Sequence, residues 1–497
     1  METLGDRTGR ARGAVAIRLA AALLLGAVLG LGSSGEAGAA QVWVEAWRHE
    51  TSRPLEGVAM GDVDGDGRAE VVTLSQGTVV VYALEDEGPR FLTAVEGIQE
   101  RPTAVAVRRQ GDEEAAALWV GTENPGFTYV FRYDPKTRSF ERTERIRYAW
   151  GDIERLVPLD LDGFGGVDLA ALTKGRELVV FRWTPSGYVR LDAGGVDREV
   201  RFLEAADLDG DGRDELVVAR GVNHLVVLKW QPSEAEEESE EVQTEGGRLE
   251  RVWENYPWGA HLALLVGRFQ PGSPQIVVAS SQRVVHHFAY STEGYRALRT
   301  PVEWTGMSGT LVGTVDIDGD GRVEAVEATR GGLVAWRIGS QVSQALTIEL
   351  SAPSATFVQR DSATGQLVVA GARGFSLLKL EDANYVRVIR RGVPVELSKP
   401  ARLVDGVAYL SADDWAALLE MRIRYDAETK MISGLKGFRF LLGRVGGGEW
   451  MFGGRSTTTR SVPFIEDGVL YLGADFASVV GGDVVWEPYT RTLVVYP

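Results

Sequence analysis

Three segments of this chain repeat one nine-residue pattern: Asp62-Val-Asp-Gly-Asp-Gly-Arg-Ala-Glu70, Asp207-Leu-Asp-Gly-Asp-Gly-Arg-Asp-Glu215 and Asp316-Ile-Asp-Gly-Asp-Gly-Arg-Val-Glu324. Acids at the first, third, fifth and ninth positions of a glycine-broken loop can turn their oxygens onto one hard cation. Calcium accepts about six to eight oxygens in irregular geometry, whereas magnesium demands a near-ideal octahedron and keeps its waters. The spacing therefore predicts calcium. In the first loop Asp62, Asp64, Asp66 and Glu70 supply side-chain oxygens and Arg68 a backbone carbonyl. The second set is Asp207, Asp209, Asp211, Arg213 and Glu215, and the third is Asp316, Asp318, Asp320, Arg322 and Glu324. Gly65 and Gly67 permit the positive φ of a chain wrapping an ion. Crowded carboxylates repel one another, so a bound cation relieves a cost built into the loop. A fourth copy offers Asp160, Asp162, Gly166 and Asp168, but Phe164 has replaced its fifth-position acid.

These loops need strands to hold them. Val58-Ala-Met enters the first loop and Val71-Val-Thr-Leu leaves it, followed by the Gln76-Gly77 turn and Val79-Val-Val-Tyr82. The same order recurs with Leu169-Ala-Ala-Leu172 and Leu178-Val-Val-Phe-Arg-Trp183, and with Leu216-Val-Val-Ala219 and Leu225-Val-Val-Leu228. Short β-branched runs bounded by Gly and Asp are strands, and their recurrence marks repeats. Three further units keep the strands without the acids: Ala104–Val107 with Ala117–Val120, Leu264–Phe269 with Ile276–Ala279, and Phe357–Arg360 with Leu367–Ala370. Seven loops thus begin near 62, 108, 160, 207, 268, 316 and 360, a period suited to the four-stranded blades of a β-propeller. Gln41-Val-Trp-Val-Glu-Ala-Trp47 is the strand expected to close the ring. The acidic run Glu234–Glu241 reads as a solvated insertion.

Asp316 to Glu327 also satisfies the twelve-residue EF-hand pattern. The other two copies place Thr73 and Val218 where its last Glu belongs, and the flanks are strands rather than helices, so that match is a coincidence.

From about Gly392 the grammar changes. Asp405-Gly-Val-Ala-Tyr-Leu410 leads into a short helix with Ser411 as N-cap and acids in its first turn. Asp467-Gly-Val-Leu-Tyr-Leu472 repeats the strand before a second short helix over 474–480. The expectation is a mainly β chain: a seven-bladed propeller over 41–391 and a small duplicated α+β domain over 392–497.

The acidic loops and their strand context resemble the FG-GAP/VCBS repeats of calcium-binding β-propellers, including those of integrin α subunits. The resemblance implies structural calcium between the first two strands of a blade, with the opposite face or rim meeting a partner. Residues 392–497 are similar to the copper amine oxidase N-terminal-like, or stalk, domain, carried by Tyr425-Asp426 with Thr429 and by Trp486-Glu487 with Thr490. Copper chemistry is not expected. Val386 follows Asn384-Tyr385 where an acid is needed, and the chain has no His-x-His.

Arg7, Arg10 and Arg12 precede an apolar run from Leu19 to Leu31, and Ala37-Gly-Ala39 offers a cleavage site, so residues 1–39 read as an export signal. An uncleaved anchor is the alternative. The run is shorter than the ~20 residues of a membrane span, and no span is expected in the mature chain. There is no cysteine, which excludes disulfides and thiolate metal sites. A net charge of −17 disfavours nucleic acid. The histidines His49, His224, His261, His286 and His287 form no catalytic or metal pattern, and neighbours such as His286 and His287 in a strand face opposite ways. No nucleophile elbow, P-loop or zinc-protease motif appears. The function expected is non-enzymatic binding of a protein or glycan, outside the cell or at its envelope. The alternative is a secreted polysaccharide lyase or hydrolase with catalytic carboxylates in the propeller funnel.

Overall fold

The computed structural model describes residues 41–497, apart from 86–87, 110–114, 148–150, 194, 233–246, 299–301, 340, 351–354, 362, 383–384 and 488–489. The expected export signal over residues 1–39, the Glu234–Glu241 run and Asn384 lie outside the described residues.

Seven antiparallel sheets follow one another along the chain. Blade 1 contains Gly57–Gly61, Glu70–Ser75, Thr78–Glu85 and Gly88–Ala94, paired in that order. Blades 2, 3 and 4 begin at Pro102–Arg109, Ile153–Leu159 and Val200–Ala206, and blades 5 and 6 at His261–Gly267 and Thr310–Val315. Blade 5 carries an additional short strand, Val302–Glu303, against Val284–Ser291. Blade 7 joins the two ends of the propeller. Its Ala355–Arg360, Leu367–Gly371 and Gly374–Asp382 are completed by the N-terminal Gln41–Glu50, with Trp43 opposite Leu380 and Trp47 opposite Leu377. The closing strand expected at Gln41–Trp47 is present, and it runs on to Glu50.

The second strand of each blade explains why the sequence shows continuous apolar runs instead of alternation. Ala116–Thr122, Asp168–Thr173 and Gln275–Ser280 are buried throughout, because neighbouring blades cover both faces of the sheet. Tryptophans Trp119, Trp230 and Trp304 are buried in the apolar clusters formed between strands. Gly247 permits one such contact: a Cβ there would lie 2.0 Å from the Trp230 ring.

The C-terminal domain takes its first strand, Arg387–Arg390, from just before Gly392 and pairs it in parallel with Thr492–Tyr496. Its duplication is visible in the pairing. Val407–Ser411, which leads into helix α1 (Ala412–Leu418), lies antiparallel to Val469–Gly473, which precedes helix α2 (Phe476–Val479). Ser411 caps α1 as expected, accepting from the Asp414 N–H at 3.0 Å and donating to its carboxylate at 2.6 Å. Trp415, Leu472 and Phe476 pack in one core beneath both helices. Among the described residues no helix is long and apolar enough to cross a membrane.

Candidate metal centre

Each acidic loop joins the first and second strands of its blade. The folded loop is built from its own hydrogen bonds. Asp62 accepts from the Gly65 N–H at 2.7 Å and from the Gly67 N–H at 3.0 Å, while Asp64 and Asp66 accept from the Asp66 and Arg68 N–H groups. Asp207 and Asp316 repeat the first two bonds at matching distances. Gly65 and Gly67 take φ of 81° and 87°, the left-handed conformation that the sequence demanded. The ninth-position acid comes from the start of the second strand and closes the loop from beneath. Glu70, Glu215 and Glu324 each accept a backbone N–H of the loop, from Val63, Leu208 and Ile317.

Three of the expected acids converge in each full loop, and Glu70, Asp211 and Glu324 are not among them. Oxygens of Asp62, Asp64 and Asp66 lie within 4.8 Å of one another, as do those of Asp160, Asp162 and Asp168, of Asp207, Asp209 and Glu215, and of Asp316, Asp318 and Asp320. Arg68, Arg213 and Arg322 hold their N–H groups on the preceding acids. In the reduced loop Phe164 is exposed, and Gly166 packs so tightly on Trp183 that a Cβ would approach it to 2.5 Å.

Blades without the acids show what the ninth position does in the absence of charge. Gln275 occupies it in blade 5 and accepts the Gln270 N–H at 2.9 Å. Closing the hairpin is thus a structural duty separable from binding a cation.

The EF-hand match fails in three dimensions as well. Glu327 points away from its loop: it accepts from Ser308 N–H at 2.6 Å and from the Trp336 indole at 2.8 Å, fully buried.

Burial sets the electrostatics. Glu70 is fully buried, and burial, followed by the Asp64 charge, pushes its pKa up to about 8. Burial raises Asp168 to about 7 and Glu215 to about 6. One Glu70 oxygen, Oε2, meets backbone N–H groups, and the other, Oε1, is buried without a partner. An orphaned carboxylate oxygen subject to the Asp64 and Asp66 charges fits a hard dication better than it fits any protein donor present.

Sequence reasoning missed a set of basic side chains on the third strands. In blade 4 Lys229 Nζ contacts Asp209, Asp211 at 2.7 Å and Glu215 Oε1 at 3.1 Å. Burial alone would lower the Lys229 pKa, and the three acids more than reverse this, so it is raised. In blade 6 Arg337 contacts Asp318 and, at 3.3 Å, Glu324. In blade 3 Arg182 binds Asp162 at 2.7 Å with its guanidinium over the Trp230 ring. The signal was legible in the third strands: Leu-Val-Val-Leu-Lys229, Leu-Val-Ala-Trp-Arg337 and Leu-Val-Val-Phe-Arg182, against Val-Val-Val-Tyr-Ala83 in blade 1.

The histidines are dispersed. His49 stacks on Trp47, His224 stacks on Tyr256, and His286 bonds the Trp258 carbonyl at 3.0 Å. Burial lowers His261 and His287 to about 4.

No curated protein matches this chain. Among solved structures it is similar to a chain of the "Crystal Structure of Mitotic Checkpoint Complex" at 10% identity and a TM-score of 0.49. That alignment covers 73% of this chain and 100% of the other. It is also similar to Sqt1 of Saccharomyces cerevisiae at 9% identity and a TM-score of 0.47, covering 68% and 99%. Residues 389–495 match the family model "Copper amine oxidase N-terminal domain", in agreement with the duplicated domain seen there.

Proposed function

We propose that this protein is an exported, non-enzymatic propeller that is stabilised by calcium and binds a glycan or protein partner. The C-terminal domain then serves as a spacer or an attachment at the cell envelope. The likeness of the acidic loops to FG-GAP/VCBS repeats supports the calcium reading, as do their convergent oxygens. The observation that carries partner binding is an aromatic patch at the junction of blades 4 and 5. Tyr256 is 61% exposed and Trp258 64%, beside Val222 and Leu262, both also exposed. His261 N–H bonds the Val222 carbonyl and His224 stacks on Tyr256 at 4.6 Å, so these segments stand together.

Strand direction places this patch. The strands of a blade alternate in direction, so the loops between first and second strands emerge on one face. The turn at 220–224 and the connection at 255–261 emerge on the other. The patch therefore lies opposite the acidic loops. Exposed Trp and Tyr offer flat apolar rings with polar edges, which suit the faces of sugar rings or an apolar protein anchor.

The test is retention of the purified protein on cell-wall material and on a panel of immobilised polysaccharides. Wild type should be retained, and Trp258→Ala with Tyr256→Ala should lose at least about tenfold in affinity, an anchor-sized effect. Equal retention of the double variant would refute the patch. Release of sugar products by the wild type would refute the non-enzymatic reading.

A further inference from the structure

The four acidic loops differ in what already stands among their carboxylates. In blade 4 the Lys229 ammonium sits against Asp209, Asp211 and Glu215. Two of these contacts, 2.7 and 3.1 Å, are only a little longer than the ~2.3–2.6 Å of calcium–oxygen bonds. The lysine thus marks where the third, fifth and ninth positions aim. Leu216 pairs with Leu228, which sets Glu215 beside Lys229. The same register sets Glu324 beside Arg337 and Asp168 beside Arg182, through the pairs Ala325 with Trp336 and Leu169 with Phe181.

Blade 1 has the same loop and register, with Glu70 opposite Ala83. A methyl group cannot reach the acids. Arg90, on the next strand, is paired with Glu85, and its charge acts on Asp64 only from beyond ion-pair distance. Among the described residues the difference is visible at the ninth position: Glu215 Oε1, buried without a hydrogen bond, lies 3.1 Å from the Lys229 ammonium, whereas Glu70 Oε1 is buried with neither a hydrogen bond nor a cation and feels the Asp64 and Asp66 charges.

We propose that the loop at 62–70 is the calcium site of this protein, and that side-chain cations take the ion's place in the other three loops. This deepens the calcium reading above and rests on it. In blade 1 the dication is held by Asp62, Asp64, Asp66 and Glu70. In blades 3, 4 and 6 an incoming ion must displace a tethered cation or share its carboxylates with it. Like charges in one site cost several kcal/mol, which weakens binding there by on the order of 100-fold. The blades therefore use two ways to neutralise one inherited loop, and only the first makes stability depend on the medium.

The experiment is calcium stoichiometry on the full chain stripped with EDTA, by equilibrium dialysis. The top concentration is about 1 mM, tenfold above the ~10⁻⁴ M typical of tight extracellular modules and about tenfold below the Kd that a 100-fold weakening gives the other three loops. Three proteins are compared: wild type, Ala83→Lys and Lys229→Met, with circular dichroism to establish that each is folded. Wild type should bind one ion per chain, Ala83→Lys none, and Lys229→Met two. Three or four ions on wild type would overturn the exclusion by tethered cations while leaving the calcium reading intact. No ion on wild type would overturn both. A folded Lys229→Met that still binds one ion would overturn the exclusion, and this arm decides the matter even if Ala83→Lys does not fold.

Discussion

Glu70 carries two duties that a single substitution can separate. Its Oε2 accepts loop N–H groups, a role that Gln275 fills as an amide in blade 5. Its charge serves only a cation. Glu70→Gln should therefore leave the metal-free melting temperature unchanged or raised, and should abolish the increment on adding calcium. Glu70→Ala should instead destabilise the metal-free protein by about 1–3 kcal/mol, the cost of a buried N–H left unpaired. Differential scanning calorimetry with and without EDTA distinguishes the two. The pH response belongs to the same scale. Glu70 and Asp168 have pKa values raised from 4.5 to about 8 and from 3.8 to about 7, so their share of stability is fully present below the lower values and is lost progressively as pH rises from them to the higher ones. His261 and His287 are lowered to about 4 from 6.5. The unfolded chain takes up those protons first, so stability falls as pH drops from 6.5 towards 4. Between about pH 4 and 6.5 the two effects oppose each other, and above 6.5 only the loss from the acids remains, so the metal-free protein should melt progressively lower from pH 6.5 to 8. Calcium, which favours ionised Glu70, should flatten the alkaline limb of that profile, and an alkaline limb insensitive to calcium would contradict this assignment.

At the scale of elements, the ring depends on a strand borrowed from the other end of the propeller. Gln41–Glu50 covers the edge of Gly374–Asp382, where Leu377 and Leu378 are buried. Removing residues 41–50 should expose that edge, lower the melting temperature and promote self-association, because an unpaired strand edge is a template for another chain. Analytical ultracentrifugation and limited proteolysis near residue 374 read the outcome. The helix α1 offers a smaller test. Ser411→Ala removes a cap with two hydrogen bonds to Asp414 and should cost about 1 kcal/mol. These elements were visible in the sequence because local chemistry specifies them. The Asp-Gly-Asp-Gly loops, the β-branched runs and the Ser-Ala-Asp-Asp start of α1 each obey a short-range rule. The start of the C-terminal domain was less legible. Arg387–Arg390 reads as one more propeller strand until its parallel partner, Thr492–Tyr496, is brought beside it.

For the whole molecule, calcium should act as a ligand of the folded state alone. At free calcium a hundredfold above Kd the gain is about 2.7 kcal/mol per site. A single dependent site in blade 1 yields one such increment, and three equivalent sites would yield nearly three times as much. The size of the melting shift in saturating calcium therefore reports on the number of dependent loops, independently of dialysis. What the sequence by itself determined was the repeat: which residues make strands, which acids meet in a loop, and that seven units and a duplicated domain follow one another. Periodicity and spacing suffice there, because each pattern is satisfied within a few residues of itself. Tertiary structure alone decided which loops have a cation beside their acids. That depends on strand register, which sets Lys229, Arg337 and Arg182 beside their acids but leaves Ala83 beside Glu70. It also decided that Tyr256 and Trp258 stay exposed while most other aromatic rings are covered, since exposure is set by how blades pack and not by residue type. Near-identical loops differ in chemistry because a charge one strand away, invisible to the motif, completes three of them and leaves the first open.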